Sequence, residues 1–255
     1  MNIAIYVINL DRSPERLAKI SGRLVSLGQS FFRVPGVNGI GLSSDEISRV
    51  RATSTKWTPL NAGEVGCFLS HRKCWEIIAK GTGQFGCVLE DDVVLSDSFS
   101  EAIQVASHLP PNLDILKLDT TFKRMWVDRK PITIGTLKTV RLRSGHYGAG
   151  AYILSKRAAQ KILDQSATFA LGVDVFLFDP LIGAARDLRI YQCAPAVCGH
   201  DYFIYPDRDT ETTIGQGRHC AIETRLSRRG RRLSEETRKV FHWLLGRRRI
   251  SVPLV

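Results

Sequence analysis

From residue 3 to about residue 200, apolar runs of strand length alternate with helical-period stripes. Ile3 to Leu10 is an unbroken apolar segment rich in β-branched residues, the pattern of a strand buried on both faces. Ser13 then suits an N-cap, Pro14 the first helical position and Gly28 a stop, which predicts a helix to about Leu27. Phe31 to Val34 predicts a short second strand, and Ser43 or Ser44 caps a helix through about Arg51. From Asn61 to Ile78 the period is helical: Val65, Leu69, Lys73 and Ile77 share a face, and Phe68, Trp75 and Ile78 widen it. Gly63 and Gly66 would let this helix approach another backbone closely. Phe85 to Leu89 is a buried strand, and Ser98 caps a helix through about His108 that Pro110-Pro111 ends. Leu113 to Asp119 alternates like a strand, residues 120–135 read as a surface loop or irregular hairpin, and Leu137 to Leu142 reads as a strand. Ala151 to Leu154 predicts a strand with Ser155 capping a helix through Leu163, and Leu188 to Cys193 a last strand. Pro195 to Asp201 then leaves the domain. Strand, polar turn and helix in this succession predict an α/β nucleotide-binding domain over residues 1–204, with residues 205–255 as a tail.

The strand at Phe85–Leu89 runs into three consecutive acids, Glu90-Asp91-Asp92, and becomes apolar again. Three carboxylates at the end of a buried strand repel one another and resist desolvation. They are tolerable at a water-facing turn, or where a cation sits among them. Hard oxygen ligands suit Mg²⁺ or Mn²⁺. Ligands bind at the carboxyl ends of strands in such folds, which puts Asn9, Asp11 and Arg12 in place to meet a nucleotide, unless Asp11 and Arg12 merely pair with each other. Ser70 and His71 are polar positions on a well-packed helix; a satisfied core histidine is the plain alternative for His71. Lys117 could reach a phosphate, though an exposed strand lysine is commoner. Gly148 and Gly150 allow a backbone to pass close to a ligand. Asp174 is a lone acid inside Leu171–Phe178; it calls for a cation, hydrogen bonds or a chemical task, or it caps the following helix.

Composition adds three constraints. The 255 residues are 44% hydrophobic, enough for a full core, and no apolar run nears the roughly 20 residues a spanning helix needs. The N-terminus reads as a strand and not as a signal peptide. Six cysteines without a C-x-x-C pair favour buried free thiols and a cytoplasmic setting over structural zinc. The net charge is +11, and residues 218–255 hold eleven Arg/Lys against three acids, about +8 of it. A basic tail of this kind implies a polyanionic partner. Within it, Ser234 to Leu245 predicts an amphipathic helix with Val240, Phe241, Trp243, Leu244 and Leu245 clustered, the make-up of an interfacial membrane anchor. RNA binding and simple packing on the body are the alternatives.

Four segments in order, Ile8–Arg16, Gly63–His71, Leu89–Val93 and Gly148–Ser155, resemble glycosyltransferase family 25, the lipooligosaccharide galactosyltransferase type. The resemblance implies a GT-A-like fold with a mixed central sheet, a UDP-sugar donor (typically UDP-galactose), a divalent metal (usually Mn²⁺, or Mg²⁺) and transfer with inversion. Glu90-Asp91-Asp92 looks like the family's metal-binding acidic motif, with the choice of two among the three left open. Asn9, Asp11 and Arg12 would line the uridine side, with Ser70, His71 and Lys117 in the donor-binding set, and Gly148 and Gly150 would lie against the donor sugar. Asp174 is the candidate base, and Asp91 the other candidate for the chemical step. The expected protein is a peripheral enzyme on the inner face of the cytoplasmic membrane that glycosylates a lipopolysaccharide or lipooligosaccharide core. Transfer to a protein acceptor, and a nucleotide-sugar- or RNA-binding protein without transfer, are the rivals.

Overall fold

The computed structural model describes residues 3–205 and 240–255. An eight-stranded sheet runs in the order β2 (Phe32–Pro35), β1 (Ala4–Asn9), β3 (Phe85–Glu90), β10 (Ala151–Ser155), β5 (Ile115–Lys117), β11 (Ile190–Cys193), β9 (Leu137–Arg141) and β8 (Ile132–Ile134). β1 is parallel to β2 and β3, and β5 to β11, whereas β10 is antiparallel to both its neighbours. The α/β class and the mixed central sheet are both as expected.

Side-chain alternation divides each central strand between two cores. Val88, Tyr152 and Leu154 face one; Cys87, Leu89, Ala151 and Ile153 face the other. The first core is closed by α3 (Ala62–Lys80), α5 (Lys156–Asp164) and α6 (Val173–Phe178). The second is closed by α1 (Pro14–Ser26) and α4 (Phe99–Val105), through Ile20, Leu24, Phe99, Ala102 and Ile103. Each large apolar side chain buried this way contributes about 1.5–3 kcal/mol.

Helix α3 carries the site's wall and starts on a capping box. Asn61 Oδ1 accepts from the Glu64 N–H at 2.9 Å, and Glu64 Oε2 from the Asn61 N–H at 2.8 Å. Such a cap is worth about 1 kcal/mol. Phe68 stacks on Phe169 at 3.7 Å and meets Trp75 edge-on. At Gly66 a Cβ would stand 2.5 Å from the Gly39 nitrogen and the Val37 oxygen, so the preceding loop crosses α3 in backbone contact. Ser43 caps α2 (Ser44–Val50).

Four expectations change. The strand expected over Leu113–Asp119 breaks after Lys117. The Leu118 carbonyl accepts from the Val197 and Cys198 N–H groups, which peels β6 (Asp119–Thr120) into a separate sheet ordered β4 (Val93–Leu95), β12 (Cys198–His200), β6. The exit from the domain expected at Pro195–Asp201 is therefore a re-entry, followed by α7 (Asp201–Ile204). Residues 120–135, expected as loop or irregular hairpin, contain β7 (Met125–Asp128) and β8. Finally, the chain's end is anchored. β13 (Arg247–Ile250) pairs antiparallel with β7, Val252 is fully buried, and Ala196 donates to the Pro253 carbonyl. Residues 240–244 are helical. Residues 206–239, with the tail's acids, most of its arginines, Cys220 and the start of the expected 234–245 helix, lie outside the described residues.

Candidate active site

Glu90 ends β3, and Asp91 and Asp92 turn the chain into β4. Within this turn Glu90 and Asp92 both face His200, and Asp91 takes the other side. Asp91 faces the start of α1. Its Oδ2 accepts from Asn9 Nδ2 at 2.7 Å, and Oδ1 stands 3.6 Å from Arg16. Burial raises its carboxyl above the usual range, and the Asn9 bond offsets only part of that. Asp91 is thus held against Asn9 of β1 and near Arg16 of α1, away from the side that Glu90 and Asp92 present to His200.

The third member of the cluster arrives through the small sheet. β12 pairs with β4 so that His200 lies opposite Val93, beside Asp92. His200 Nδ1 is 3.5 Å from Asp92 Oδ1 and 3.9 Å from Glu90 Oε2, and Nε2 is 3.5 Å from Asp119 Oδ2. Glu90, Asp92 and His200 each offer a ligand atom, all within 4.8 Å of one another. Asp92 Oδ1, Asp119 Oδ2 and His200 Nε2 are buried without a hydrogen-bond partner. Burial by itself would raise the Asp92 carboxyl and lower the His200 imidazole. The polar partners win: His200 draws Asp92 down, and Asp119 first and then Asp92 hold His200 well above its ordinary value. Oxygen and imidazole ligands at about 2.1 Å from an ion stand roughly 3 Å from their neighbours. The donor set and its spacing therefore fit a divalent cation, which would satisfy the orphaned Asp92 Oδ1.

Behind His200 lies a buried ion pair. Asp119 is fully enclosed, with Lys117 Nζ 2.5 Å from its Oδ1. Burial opposes its charge, but the Lys117 ammonium and His200 hold the carboxyl down to about 2. Lys117 also donates to the Gly148 carbonyl at 2.6 Å and sits 4.6 Å above the Phe178 ring. Its ammonium is consumed inside the protein, so the expected phosphate contact is corrected to an internal one. Gly148, at φ +96°, would place a Cβ 3.3 Å from Asp119 Oδ2, and Gly150 would place one 2.6 Å from His200 Nε2. Gly150 thus makes room for His200, and Gly148 for Thr121 and Asp119.

On the α3 side, His71 is fully buried; its Nε2 lies 3.0 Å from Glu90 Oε1 and its Nδ1 2.9 Å from the Tyr152 hydroxyl. Cys67 Sγ is 3.7 Å from the same Glu90 oxygen. Ser70 donates to the Gly66 carbonyl and accepts from the Val37 N–H, so it clamps the crossing loop and has no donor contact to spare. Asn9 donates to the Ser13 carbonyl and accepts from Arg33 Nε, while Asp11 is exposed and paired with Arg33. Asp174 accepts from the Val175 N–H at 2.7 Å and the Gly148 N–H at 3.1 Å, and its charge acts on the Cys67 thiol together with those of Glu90 and Asp92. One cleft gathers Asn9, Arg12, Arg16, Ser70, His71 and the three acids; Asp11, Lys117, Gly148, Gly150 and Asp174 are not in its lining. Sequence reasoning missed His200 and Asp119. Asp119 did carry a signal, a carboxylate ending a strand as Glu90 ends β3. His200 carried none, since the pairing of β12 with β4 and β6 is invisible in the local pattern.

A family model, glycosyltransferase family 25 (LPS biosynthesis protein), matches residues 2–177. The chain belongs to this family. It is 23% identical over 161 residues to a putative glycosyltransferase of Haemophilus influenzae, covering 62% of this chain and 56% of that one. It is 27% identical over 242 residues to procollagen galactosyltransferase 1-B of Xenopus laevis, covering 82% and 38%. A mouse relative named inactive glycosyltransferase 25 family member 3 is 30% identical over 188 residues, covering 68% and 31%. The family 25 chain described here spans little more than half of the first of these relatives and less than half of the others.

Proposed function

We propose that this family 25 protein transfers a hexose, galactose foremost, from a UDP-sugar to a lipopolysaccharide or lipooligosaccharide core, with inversion. The observation that carries this reading is the Glu90–Asp92–His200 cluster, with its unpartnered buried atoms, at the carboxyl end of β3. These three would hold Mn²⁺ or Mg²⁺, the imidazole favouring Mn²⁺. Such an ion, when bound, neutralises the diphosphate as UDP departs. Asn9 and Arg12 line the cleft where the uridine diphosphate would lie, and Arg12 and Arg16 bring positive charge to it. Asp174 is the proposed base for the acceptor hydroxyl, since its charge acts on the Cys67 thiol together with those of Glu90 and Asp92 and it is only half-buried. The exposed Phe241, Trp243 and Leu244 beside Arg248 and Arg249 support docking on an anionic membrane, where a glycolipid acceptor would be met.

The deciding experiment is UDP release from a panel of UDP-sugars, with Mn²⁺ and with EDTA, for the native protein and Asp92→Asn. Metal-dependent turnover of UDP-galactose, lost in the variant, is the expected result. The name of the mouse relative favours one second reading, a donor-binding protein without transfer. Absence of turnover with every donor, with or without a core-oligosaccharide acceptor, together with retained binding of a UDP-sugar, would favour that reading over the first.

A further inference from the structure

Two groupings of ligand-type side chains share Glu90. One is Glu90–Asp92–His200; the other is Cys67–His71–Glu90, also within 4.8 Å. Cys67 and His71 are four residues apart on α3, hence on one face, and a thiol, an imidazole and a carboxylate are a set zinc accepts. The direction of the hydrogen bonds behind His71 decides between ligand and support.

Trp75 Nε1 can only donate, and it donates to the Tyr152 hydroxyl at 2.8 Å. That hydroxyl has one proton to place, and His71 Nδ1 lies 2.9 Å away. Trp75, Tyr152 and His71 are all fully buried, where a proton aimed at no acceptor would be left unpaired. The Tyr152 proton therefore goes to Nδ1, and His71 carries its own on Nε2. That N–H faces Glu90 Oε1 at 3.0 Å, and the Cys67 thiol donates to the same oxygen. The other oxygen, Oε2, is the one turned toward His200.

We infer that Trp75, Tyr152 and His71 form a buried relay that pins Glu90 by Oε1 so that Oε2 alone is offered to the cation. His71 is a positioning residue in this arrangement. Its Nε2 has no lone pair free for a metal, so the Cys67–His71–Glu90 grouping is not a second metal centre. The inference rests on the metal reading above, and it adds a cause for the ligand geometry: supports of this kind set metal affinity as the ligands themselves do.

The test is Mn²⁺ binding followed by the free-ion paramagnetic resonance signal, and Co²⁺ binding followed by absorbance, on the full chain. Tyr152→Phe keeps the ring and removes the relay's central hydroxyl; it should weaken Mn²⁺ binding by about 10- to 100-fold, the usual loss for an outer support. His71→Gln, whose amide can still donate to Glu90, should retain more affinity than His71→Leu. That ordering would not follow from packing alone, and it stands even if Tyr152→Phe fails to fold. Asp92→Asn should abolish binding. Loss in Asp92→Asn with native affinity in Tyr152→Phe and His71→Leu overturns the relay and leaves the metal reading intact. Native affinity in Asp92→Asn overturns the metal reading beneath it. A cobalt–thiolate absorption band that disappears in Cys67→Ser makes Cys67 a ligand, which places a metal in the Cys67–His71–Glu90 grouping and also overturns the relay.

Discussion

At Gly150 the missing side chain is what lets His200 stand beside Asp92. A methyl group there would sit 2.6 Å from His200 Nε2 and 2.7 Å from Val93, inside contact distance on both sides. Gly150→Ala should therefore displace the imidazole and weaken Mn²⁺ binding at least about tenfold while the fold survives, as isothermal titration and circular dichroism would show. Native affinity in that variant would remove His200 from the ligand set. His146 gives a prediction of another kind. Burial, and then the Lys117 ammonium, depress its imidazole from 6.5 to about 4. The folded protein thus favours the neutral ring. The stability gained is complete above pH 6.5, declines as pH falls from 6.5 toward 4, and is absent below that. At 1.36 kcal/mol per unit, the whole effect is about 3 kcal/mol. Urea unfolding across this window should show a shallower acid limb for His146→Gln than for the native protein; equal limbs would refute the assignment. What the sequence lacked at this scale is facing. It showed that Glu90, Asp91 and Asp92 are adjacent, but not that Asn9 and Arg16 claim Asp91.

Among the elements, those whose information is local were legible. The Ser43 cap and Gly28 after α1 at φ +68° each follow from neighbours within a few residues, whereas the face read on α3 runs through Lys73 and Ile77, which are exposed, while Phe68, His71, Trp75 and Ile78 are buried. The three-stranded sheet was not legible. Its strands have two or three residues each, too short for a period to register, and they draw from positions 93, 119 and 198. The C-terminal segment shows both cases. The apolar cluster expected to form a membrane-facing helix is helical at 240–244, and Trp243 and Leu244 are 63% and 69% exposed. His242 instead stacks on Trp126 at 4.5 Å, and β13 follows. Deleting the tail would strip Val252 and β13 from the body, so substitution is the sharper test. Trp243→Ser with Leu244→Ser should release the protein from phosphatidylglycerol vesicles in sedimentation without lowering its melting temperature. Native protein that fails to sediment with such vesicles would refute the membrane contact. Each arginine near the anionic surface adds on the order of 1 kcal/mol, so added salt should weaken binding as well.

For the molecule as a whole, the sequence by itself determined the α/β class, most of the helices and strands, the triple acid at the end of a buried strand and, through the order of its motifs, membership of glycosyltransferase family 25. All of these are written in patterns of a few residues or in their succession. The tertiary structure alone decided which acids converge, that His200 and Asp119 join them, that Lys117 and the two glycines stand behind the cluster, and that the chain's end closes on β7. Those outcomes depend on strand pairings between residues about 80 to 125 positions apart. Pairing partners are selected by the summed burial of both cores and by the need of every enclosed donor for an acceptor, and neither quantity exists until the chain has folded.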